Sequence, residues 1–214
     1  MSAPPVPRRP ALSLALCALL LALLTWPVAA GGPLRRADER AAGALADSPF
    51  PDRAAEFLAD LGNVTVAVPV LVAVLAYTAW RARRAGTFRW WLPAAAAVTM
   101  AAVPALVAPL KALIDRPGPP GTAGHGSYYP SGHTATAAVA YGAAVLLLLP
   151  LLRGAYGRRA LVVGCVLLNV GVGFGLVRRG YHWPLDVVAS WCLSALLLQV
   201  MVLVISVTGR RQRR

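Results

Sequence analysis

Charged side chains are scarce in this chain. Only 14% of its 214 residues are charged, whereas 58% are hydrophobic, and the mean hydropathy is +0.62. Acidic residues number eight, and Lys111 is the one lysine beside twenty arginines. A water-soluble domain of this length rarely has such a composition, which therefore indicates a membrane protein.

Charge is absent altogether from several long apolar runs. About 20 apolar residues suffice to cross a hydrocarbon core of roughly 30 Å. Five runs have about that length, and a sixth is shorter and contains Asn169, but no charge interrupts it. We therefore predict an all-α integral membrane bundle of six helices, with a short polar outer segment between the first two. The predicted spans are 11–30, 62–80, 90–110, 134–152, 160–177 and 187–208.

Acids are also absent from every second connecting segment. With the N-terminus placed in the cytoplasm, the inner segments hold thirteen arginines and no acid, while the outer segments hold eight cations and eight acids. This is the positive-inside distribution of a multi-pass protein in the cell membrane, with both termini cytoplasmic. The net charge of +13 therefore reflects this topology and contact with membrane lipids, which we predict as partners. We predict no nucleic-acid partner. The inner cations are Arg8, Arg9, Arg81, Arg83, Arg84, Arg89, Arg153, Arg158, Arg159, Arg210, Arg211, Arg213 and Arg214.

This topology divides the chain into four segments. They are a cytoplasmic tail at 1–10, the first span with its outer loop at 11–61, a transmembrane bundle at 62–208 and a basic cytoplasmic tail at 209–214. The first span also fits a cleavable secretory signal, but it is longer than the apolar core of most signal peptides, so we favour a retained helix. Residues 53–61 form either a solvated connection or a short amphipathic helix with Phe57, Leu58 and Leu61 facing lipid.

Cysteine and histidine are few. All three cysteines fall inside predicted spans, which favours packing over disulfides. The three histidines and Asp186 lack a local two-ligand spacing, so we predict no metal and no cofactor. We interpret His125, in a loop rich in glycine and tyrosine, as a loop residue rather than a ligand.

The polar residues near the spans concentrate at one predicted surface. Lys111 follows the third span on the outer side, His133 precedes the fourth, and His182 and Asp186 stand at the start of the sixth. Ionisable groups beside membrane spans are costly and are usually retained for chemistry. Segments that are far apart in sequence are thus predicted to meet at the outer face of the membrane.

The residue types at this surface suit the binding of an anion. A helix that starts at Ser131-Gly132 offers free backbone N–H groups and a favourable dipole, and Ser131 can cap that helix. Lys111 and neighbouring arginines supply cations for phosphate oxygens. A spacing of four lets Asp186 accept a hydrogen bond from one ring nitrogen of His182, and the other nitrogen can act as nucleophile or base.

These residues resemble the signature of the type 2 phosphatidic acid phosphatases, a superfamily that includes bacterial acid phosphatases and vanadium haloperoxidases. The signature has three parts: Lys-x6-Arg-Pro, Pro-Ser-Gly-His and Ser-Arg-x5-His-x3-Asp. The second part is complete at 130–133, the third keeps His182 and Asp186, and the first keeps Lys111 and Pro119. The resemblance covers residues 90–205, and six helices match the family's membrane members.

Two arginines of the signature are displaced. The first falls on Gly118, with Arg116 two residues earlier, and the second falls on Leu176, with Arg178 and Arg179 shortly after it. These neighbours are interpreted as substitutes, since arginine is long and flexible. The phosphate-binding residues implied by the resemblance are then Lys111, Arg116, Ser131, Gly132 and one of Arg178 or Arg179.

The resemblance implies a metal-independent lipid phosphatase that forms a phosphohistidine. His182 would attack phosphorus, Asp186 would orient it, and His133 would protonate the leaving oxygen and then activate water. Candidate substrates are phosphatidate, phosphatidylglycerophosphate and polyprenyl diphosphate. A phosphotransferase with an alcohol acceptor and a catalytically silent protein that binds lipid phosphate are the alternatives.

Overall fold

A computed structural model describes residues 8–122 and 126–211, with side chains from residue 11 onward. His125, most of the predicted N-terminal tail and Arg213 and Arg214 lie outside the described residues. Within them the chain forms helices and short connections, without strands. The helices are α1 (Arg8–Ala29), α2 (Pro33–Ala46), α3 (Asp52–Asp60), α4 (Val64–Arg84), α5 (Trp91–Ile114), α6 (Gly132–Leu148), a 3-10 turn at Leu149–Leu151, α7 (Ala155–Arg178) and α8 (Pro184–Arg211).

Six of these helices, α1 and α4 to α8, are long and apolar enough to cross a membrane. They coincide with the six predicted spans, so the all-α bundle is confirmed and the chain is a multi-pass membrane protein. Several helices extend past the predicted limits because a helix continues through the interface beyond the hydrocarbon. α8 begins at Pro184, a residue suited to the first turn of a helix, and α7 begins before Arg158.

The polar segment between the first two spans is largely helical. The alternative of a short helix near 53–61 is confirmed as α3, and α2 precedes it. The predicted lipid contacts are wrong for two of the three residues. Leu58 packs against Gly171 of α7, and Leu61 packs against the core, whereas Phe57 is 63% exposed. The two outer helices lie across one end of the bundle, called here the α2–α3 end.

The central helix of the bundle is α6, which contacts α4, α5, α7 and α8. Half of its spanning window is buried, the largest share among the described spans. Its first three turns consist mainly of alanine, glycine and threonine, and small side chains let neighbouring helices approach closely. The N-terminus of α6 consequently emerges in the middle of the α2–α3 end.

Helix α1 packs along α8 and reaches the same end of the bundle. Val28 is buried against Tyr129, and the hydroxyls of Thr25 and Tyr129 are 2.7 Å apart. Burial raises the pKa of Tyr129 to about 12, so its phenol stays neutral at physiological pH. These contacts favour retention of the first span, which remains a prediction.

Helix α3 lies directly on α7 at Gly175. A Cβ at this glycine would lie 2.5 Å from the carbonyl oxygen of Ala55 and 2.6 Å from the nitrogen of Ala59. Both atoms belong to the backbone of α3 and cannot rotate away. Gly175 thus allows the close approach that holds α3 over the α2–α3 end.

We expect Gly175→Ala to destabilise the protein by about 1–3 kcal/mol, because the added methyl group forces the two helix backbones apart. Gly164→Ala is the matched control, since Gly164 lies in the same helix and a Cβ there meets nothing within 4 Å. The measurement is the thermal unfolding midpoint in detergent. A midpoint for Gly175→Ala equal to that of Gly164→Ala would contradict this account of the α3–α7 contact.

Candidate active site

A cavity of about 1480 Å³ opens at the α2–α3 end of the bundle. Its lining includes Lys111, Gly132, His133 and His182, which come from the end of α5, the start of α6 and the turn before α8. The structure therefore places the two histidines and the lysine around one space. Further lining residues near this polar part are Glu56, Tyr128, Arg179, Gly180 and Tyr181.

Ser131 caps the helix that faces this space. Its hydroxyl oxygen accepts hydrogen bonds from the amide of Thr134 at 3.3 Å and from the Thr134 hydroxyl at 3.0 Å. The residue is fully buried and does not line the cavity, so its hydroxyl is occupied away from the predicted phosphate position. Gly132 and His133 follow the cap, and the first amides of a helix have no partner within the helix. These backbone N–H groups are the anion-binding feature of the turn.

The Ser131 turn is fastened to α8. The Ser131 amide donates to the carbonyl oxygen of Asp186 at 3.2 Å. The hydroxyl of Ser190 lies 2.8 Å from the carbonyl oxygens of both Ser131 and Asp186. The two signature segments, which are about fifty residues apart in sequence, are thus joined by direct hydrogen bonds.

His182 pairs with Asp186 as the spacing predicts. Nδ1 of His182 lies 3.2 Å from Oδ2 of Asp186, and the Trp183 amide donates to the same oxygen at 3.1 Å. An ionised carboxylate only accepts hydrogen bonds, so the proton resides on Nδ1 and Nε2 is the ring nitrogen left for chemistry. Asp186 is fully buried in the first turn of α8, where the helix dipole favours a negative charge.

Arg116 is placed differently from the expectation. It is 1% exposed and does not line the cavity. Its Nη1 donates to Oδ1 of Asp186 and its Nη2 donates to Oδ2 of Asp38, both at 2.7 Å. Its guanidinium also lies 5.1 Å from the ring centroid of Trp183. Arg116 therefore binds two carboxylates, whereas the sequence analysis predicted that it binds phosphate.

Sequence analysis missed Asp38, which lies on α2 in the outer segment. Its Oδ1 accepts a hydrogen bond from the amide of Leu185 at 2.8 Å. Burial raises the pKa of Asp38 above its ordinary value, against the lowering effects of Arg116 and of the Leu185 amide. A signal was present in the sequence, because Asp38, Ala42 and Leu45 share the buried face of α2 with a spacing of i, i+4, i+7.

Two arginines lie at the end of α7, Arg178 as its last residue and Arg179 directly after it, and their side chains have different surroundings. Arg178 donates to the carbonyl oxygen of Phe50 at 2.9 Å, pairs with Asp52 at 3.0 Å and does not line the cavity. Arg179 does line it, but its Nε donates to Glu56 at 2.6 Å. Hydrogen bonds from Tyr181 and Arg179 lower the pKa of Glu56, so this carboxylate stays ionised at neutral pH. Of these two arginines, Arg179 is therefore the one that lines the cavity.

The positions that carry arginine in the family signature are closed to it. A Cβ on Gly118 would lie 2.6 Å from both Oγ1 of Thr122 and Cε2 of Tyr128, and Leu176 is buried in the core at 1% exposure. Sequence analysis also missed the role of Tyr128 in filling this space. The ring centroids of Tyr128 and His182 are 5.7 Å apart, and Nζ of Lys111 lies 5.8 Å from the centroid of the Tyr128 ring. Tyr128 is therefore part of the site wall beside both groups.

The part of the chain that is similar to known proteins includes Lys111, His133, His182 and Asp186. The sequence profile of the PAP2 superfamily matches residues 92–210, more than half of the chain. No curated protein matches the chain. The crystal structure of a transmembrane PAP2-type phosphatidylglycerolphosphate phosphatase from Bacillus subtilis is similar, with a TM-score of 0.72, 22% identity, and coverage of 91% of this chain and 96% of that one. The chain therefore belongs to the PAP2 superfamily.

Proposed function

We propose that this protein hydrolyses a lipid phosphomonoester or diphosphate at the outer face of the cell membrane through a phosphohistidine at His182. One observation carries the proposal. The cavity that holds His133, His182 and Lys111 at one end is lined by apolar helix faces over the rest of its length. A phosphate on a long apolar chain fits this division of polar and apolar surface better than a soluble phosphate does.

The apolar part of the cavity lies between α4 and α5. On α4 the lining runs from Val64 to Leu75, a rise of about 16 Å at 1.5 Å per residue. That length is about half of the roughly 30 Å hydrocarbon core, which is the depth of one leaflet. An acyl or polyprenyl chain can therefore lie in this groove while its phosphate reaches the histidines. The groove residues are Val64, Val68, Leu71, Val72, Leu75, Ala97, Met100, Ala101, Val103 and Pro104.

The first chemical step is transfer of the phosphoryl group to the enzyme. Nε2 of His182 attacks phosphorus, the bond from phosphorus to the leaving oxygen breaks, and His133 gives its proton to that oxygen. The positive charge that develops on the His182 ring is stabilised by Asp186, which accepts a hydrogen bond from Nδ1. Lys111 and the first amides of α6 hold the phosphoryl oxygens, and Arg179 joins them when it leaves Glu56.

The second step releases phosphate. His133, now neutral, takes a proton from water as the water oxygen attacks phosphorus. The bond between phosphorus and Nε2 breaks, which regenerates neutral His182 and protonated His133. An alcohol in place of water would give a phosphorylated alcohol, so the nature of the acceptor separates hydrolysis from transfer.

The outer-face assignment rests on the arginines at the opposite end of the bundle. α4 starts beside the cavity and ends with three arginines, and α7 starts with two and returns to the cavity. The positive-inside rule places arginine-rich ends in the cytoplasm, and the cavity then faces outward. The arginines concerned are Arg81, Arg83, Arg84, Arg158, Arg159, Arg210 and Arg211.

We expect purified protein in EDTA to release inorganic phosphate from a panel of phosphatidate, phosphatidylglycerophosphate and polyprenyl diphosphate. His182→Ala should lower kcat by about 10³-fold or more, because no other group supplies the nucleophile. Substrate carrying ³²P, quenched in alkali, should leave label on His182 of the wild type. His133→Ala should slow phosphate release and retain label on His182, because the acid and base is lost and the nucleophile is not.

Three results would redirect this proposal. Binding of lipid phosphate without turnover indicates a catalytically silent protein. Phosphorylated alcohol formed in proportion to added acceptor indicates a transferase. Equal activity of His182→Ala and the wild type would exclude the phosphohistidine.

The groove itself is tested by bulky substitutions on α5. We expect Ala97→Trp, which fills the groove, to lower kcat/KM for a long-chain lipid phosphate about tenfold through lost apolar contact. A short-chain analogue should be affected little, since its tail does not reach this depth. Val98→Trp is the matched control, because Val98 is the adjacent residue, 69% exposed and outside the groove. Equal losses for both variants or both chain lengths would contradict the groove assignment.

A second test concerns the displaced arginine. We expect Gly118→Arg to lower kcat/KM about tenfold, because its side chain must displace the Tyr128 ring from the site wall. Tyr128→Ala should remove the larger of the two obstacles, since the Thr122 hydroxyl lies equally close but belongs to a small side chain. Gly118→Arg with Tyr128→Ala should therefore be more active than Gly118→Arg alone. Gly126→Ala is the control in the same loop, since a Cβ there meets nothing within 4 Å. Simple additivity of the two changes would show that Tyr128 does not block the family position.

A further inference from the structure

Four ionisable side chains form one buried row behind the cavity. In order they are Asp38, Arg116, Asp186 and His182, called here the buried array. The two ion pairs of Arg116 measure 2.7 Å each, and the side chains of Asp38, Arg116 and Asp186 are 3%, 0% and 0% exposed. His182 continues the row at 3.2 Å and is the only member that lines the cavity.

We propose that Asp38 and Arg116 are positioning residues that set the charge and orientation of the Asp186–His182 pair. The inference rests on the nucleophilic role proposed for His182. Neither Asp38 nor Arg116 lines the cavity, so neither contacts substrate. Their influence on the reaction passes through the carboxylate of Asp186.

The charges in the row account for the presence of Asp38. Arg116 carries one positive charge and Asp186 one negative charge, so these two alone sum to zero. Asp38 brings the row behind the histidine to a net charge of −1. The His182 ring gains one positive charge when Nε2 bonds to phosphorus, and charges in a buried environment interact more strongly than in water. Asp38 therefore restores the negative charge that Arg116 would otherwise cancel at the nucleophile.

The same row explains the presence of Arg116. A carboxylate that is fully removed from water, as Asp186 is, needs hydrogen-bond donors to remain ionised, and the His182 ring and the Trp183 amide supply two of them. Arg116 supplies a third donor at Oδ1, which leaves Oδ2 of Asp186 for His182. Asp38 in turn accepts from the Leu185 amide, which anchors the first turn of α8. Helix α2, outside the matched family region, thus contributes to the orientation of the nucleophile.

Charge and structure can be separated by a double-mutant cycle. Asp38→Asn keeps the size of the side chain and makes the row neutral, but its one oxygen can accept from the Leu185 amide or from Arg116, not from both. We expect kcat to fall roughly ten- to a hundredfold with KM unchanged, because transition-state charge stabilisation is lost and substrate contacts are not. Arg116→Met leaves two buried carboxylates without a cation and should also lower kcat. In the double variant, Asp38→Asn with Arg116→Met, Asp186 alone gives the row a net charge of −1. We expect its kcat to be at least severalfold above that of Asp38→Asn.

The control is Asp47→Asn, an exposed acid in the residue that follows α2. It should match the wild type in kcat and in thermal unfolding midpoint. A merely structural role for Asp38, including relief in the double variant of the contact between the new amide group and Arg116, predicts that kcat follows the unfolding midpoint across all variants. That result would overturn the inference.

A measurement without substrate separates this inference from the proposed function. Diethyl pyrocarbonate acylates the unprotonated nitrogen of a histidine ring. The ring becomes positive during this attack, as it does in the proposed reaction with phosphorus. Mass spectrometry of the peptide that contains His182 measures the rate of acylation. We expect a lower rate in Asp38→Asn and recovery in the double variant. If the wild type releases no phosphate but this pattern holds, only the proposed function fails. If the wild type is active and Asp38→Asn equals it in both kcat and acylation rate, the inference fails.

Discussion

The arrangement of the site depends on one buried cation. Arg116 follows α5, and its guanidinium binds carboxylates from α2 and α8 at 2.7 Å each. Removal of this charge would leave two carboxylates without a cation in a region closed to water, which is among the most costly changes a protein core can undergo. A chain in which Arg116 binds both acids therefore has α2, the loop after α5 and the start of α8 in one fixed arrangement. His182 inherits its orientation from that arrangement through Asp186.

The second constraint is steric and lies in the centre of the bundle. α6 has a small-residue surface in its first three turns, and four helices pack around it. Because these neighbours share a central helix, the start of α6 is the point at which their loops converge. Close approach is also allowed at Gly175, where the absence of a side chain lets α3 pack on α7. Small residues thus position the loops, and the polar groups on the loops then supply the hydrogen bonds that join them.

The displaced arginines have different consequences at the two positions. Gly118 and Tyr128 occupy the first position as a matched pair, so the ring stands where a longer cation would lie. Leu176 turns the second position into core packing. Under the proposed function, the positive potential near the phosphate would come from Lys111, the start of α6 and Arg179, whose present partner Glu56 lies on α3. Helix α3 therefore contributes a side chain to the cavity lining and also covers this end of the bundle.

The sequence alone determined the membrane class, the six helices and the family, because apolar length, arginine asymmetry and short polar motifs are properties of contiguous residues. It also predicted a shared site for His182, Asp186, His133 and Lys111 from local spacing and position beside a span, and the structure places the two histidines and the lysine around one cavity with Asp186 behind His182. It did not reveal Asp38, and it assigned Arg116 to phosphate, because the partner of a buried charge is chosen by helices that meet only after folding. The tertiary structure decided that Arg116 faces two carboxylates, that Ser131 is used as a helix cap and that Arg178 points away from the cavity. In each case the deciding quantity is a distance between residues that are remote in sequence or a direction of a side chain, and neither is encoded in the spacing of a motif.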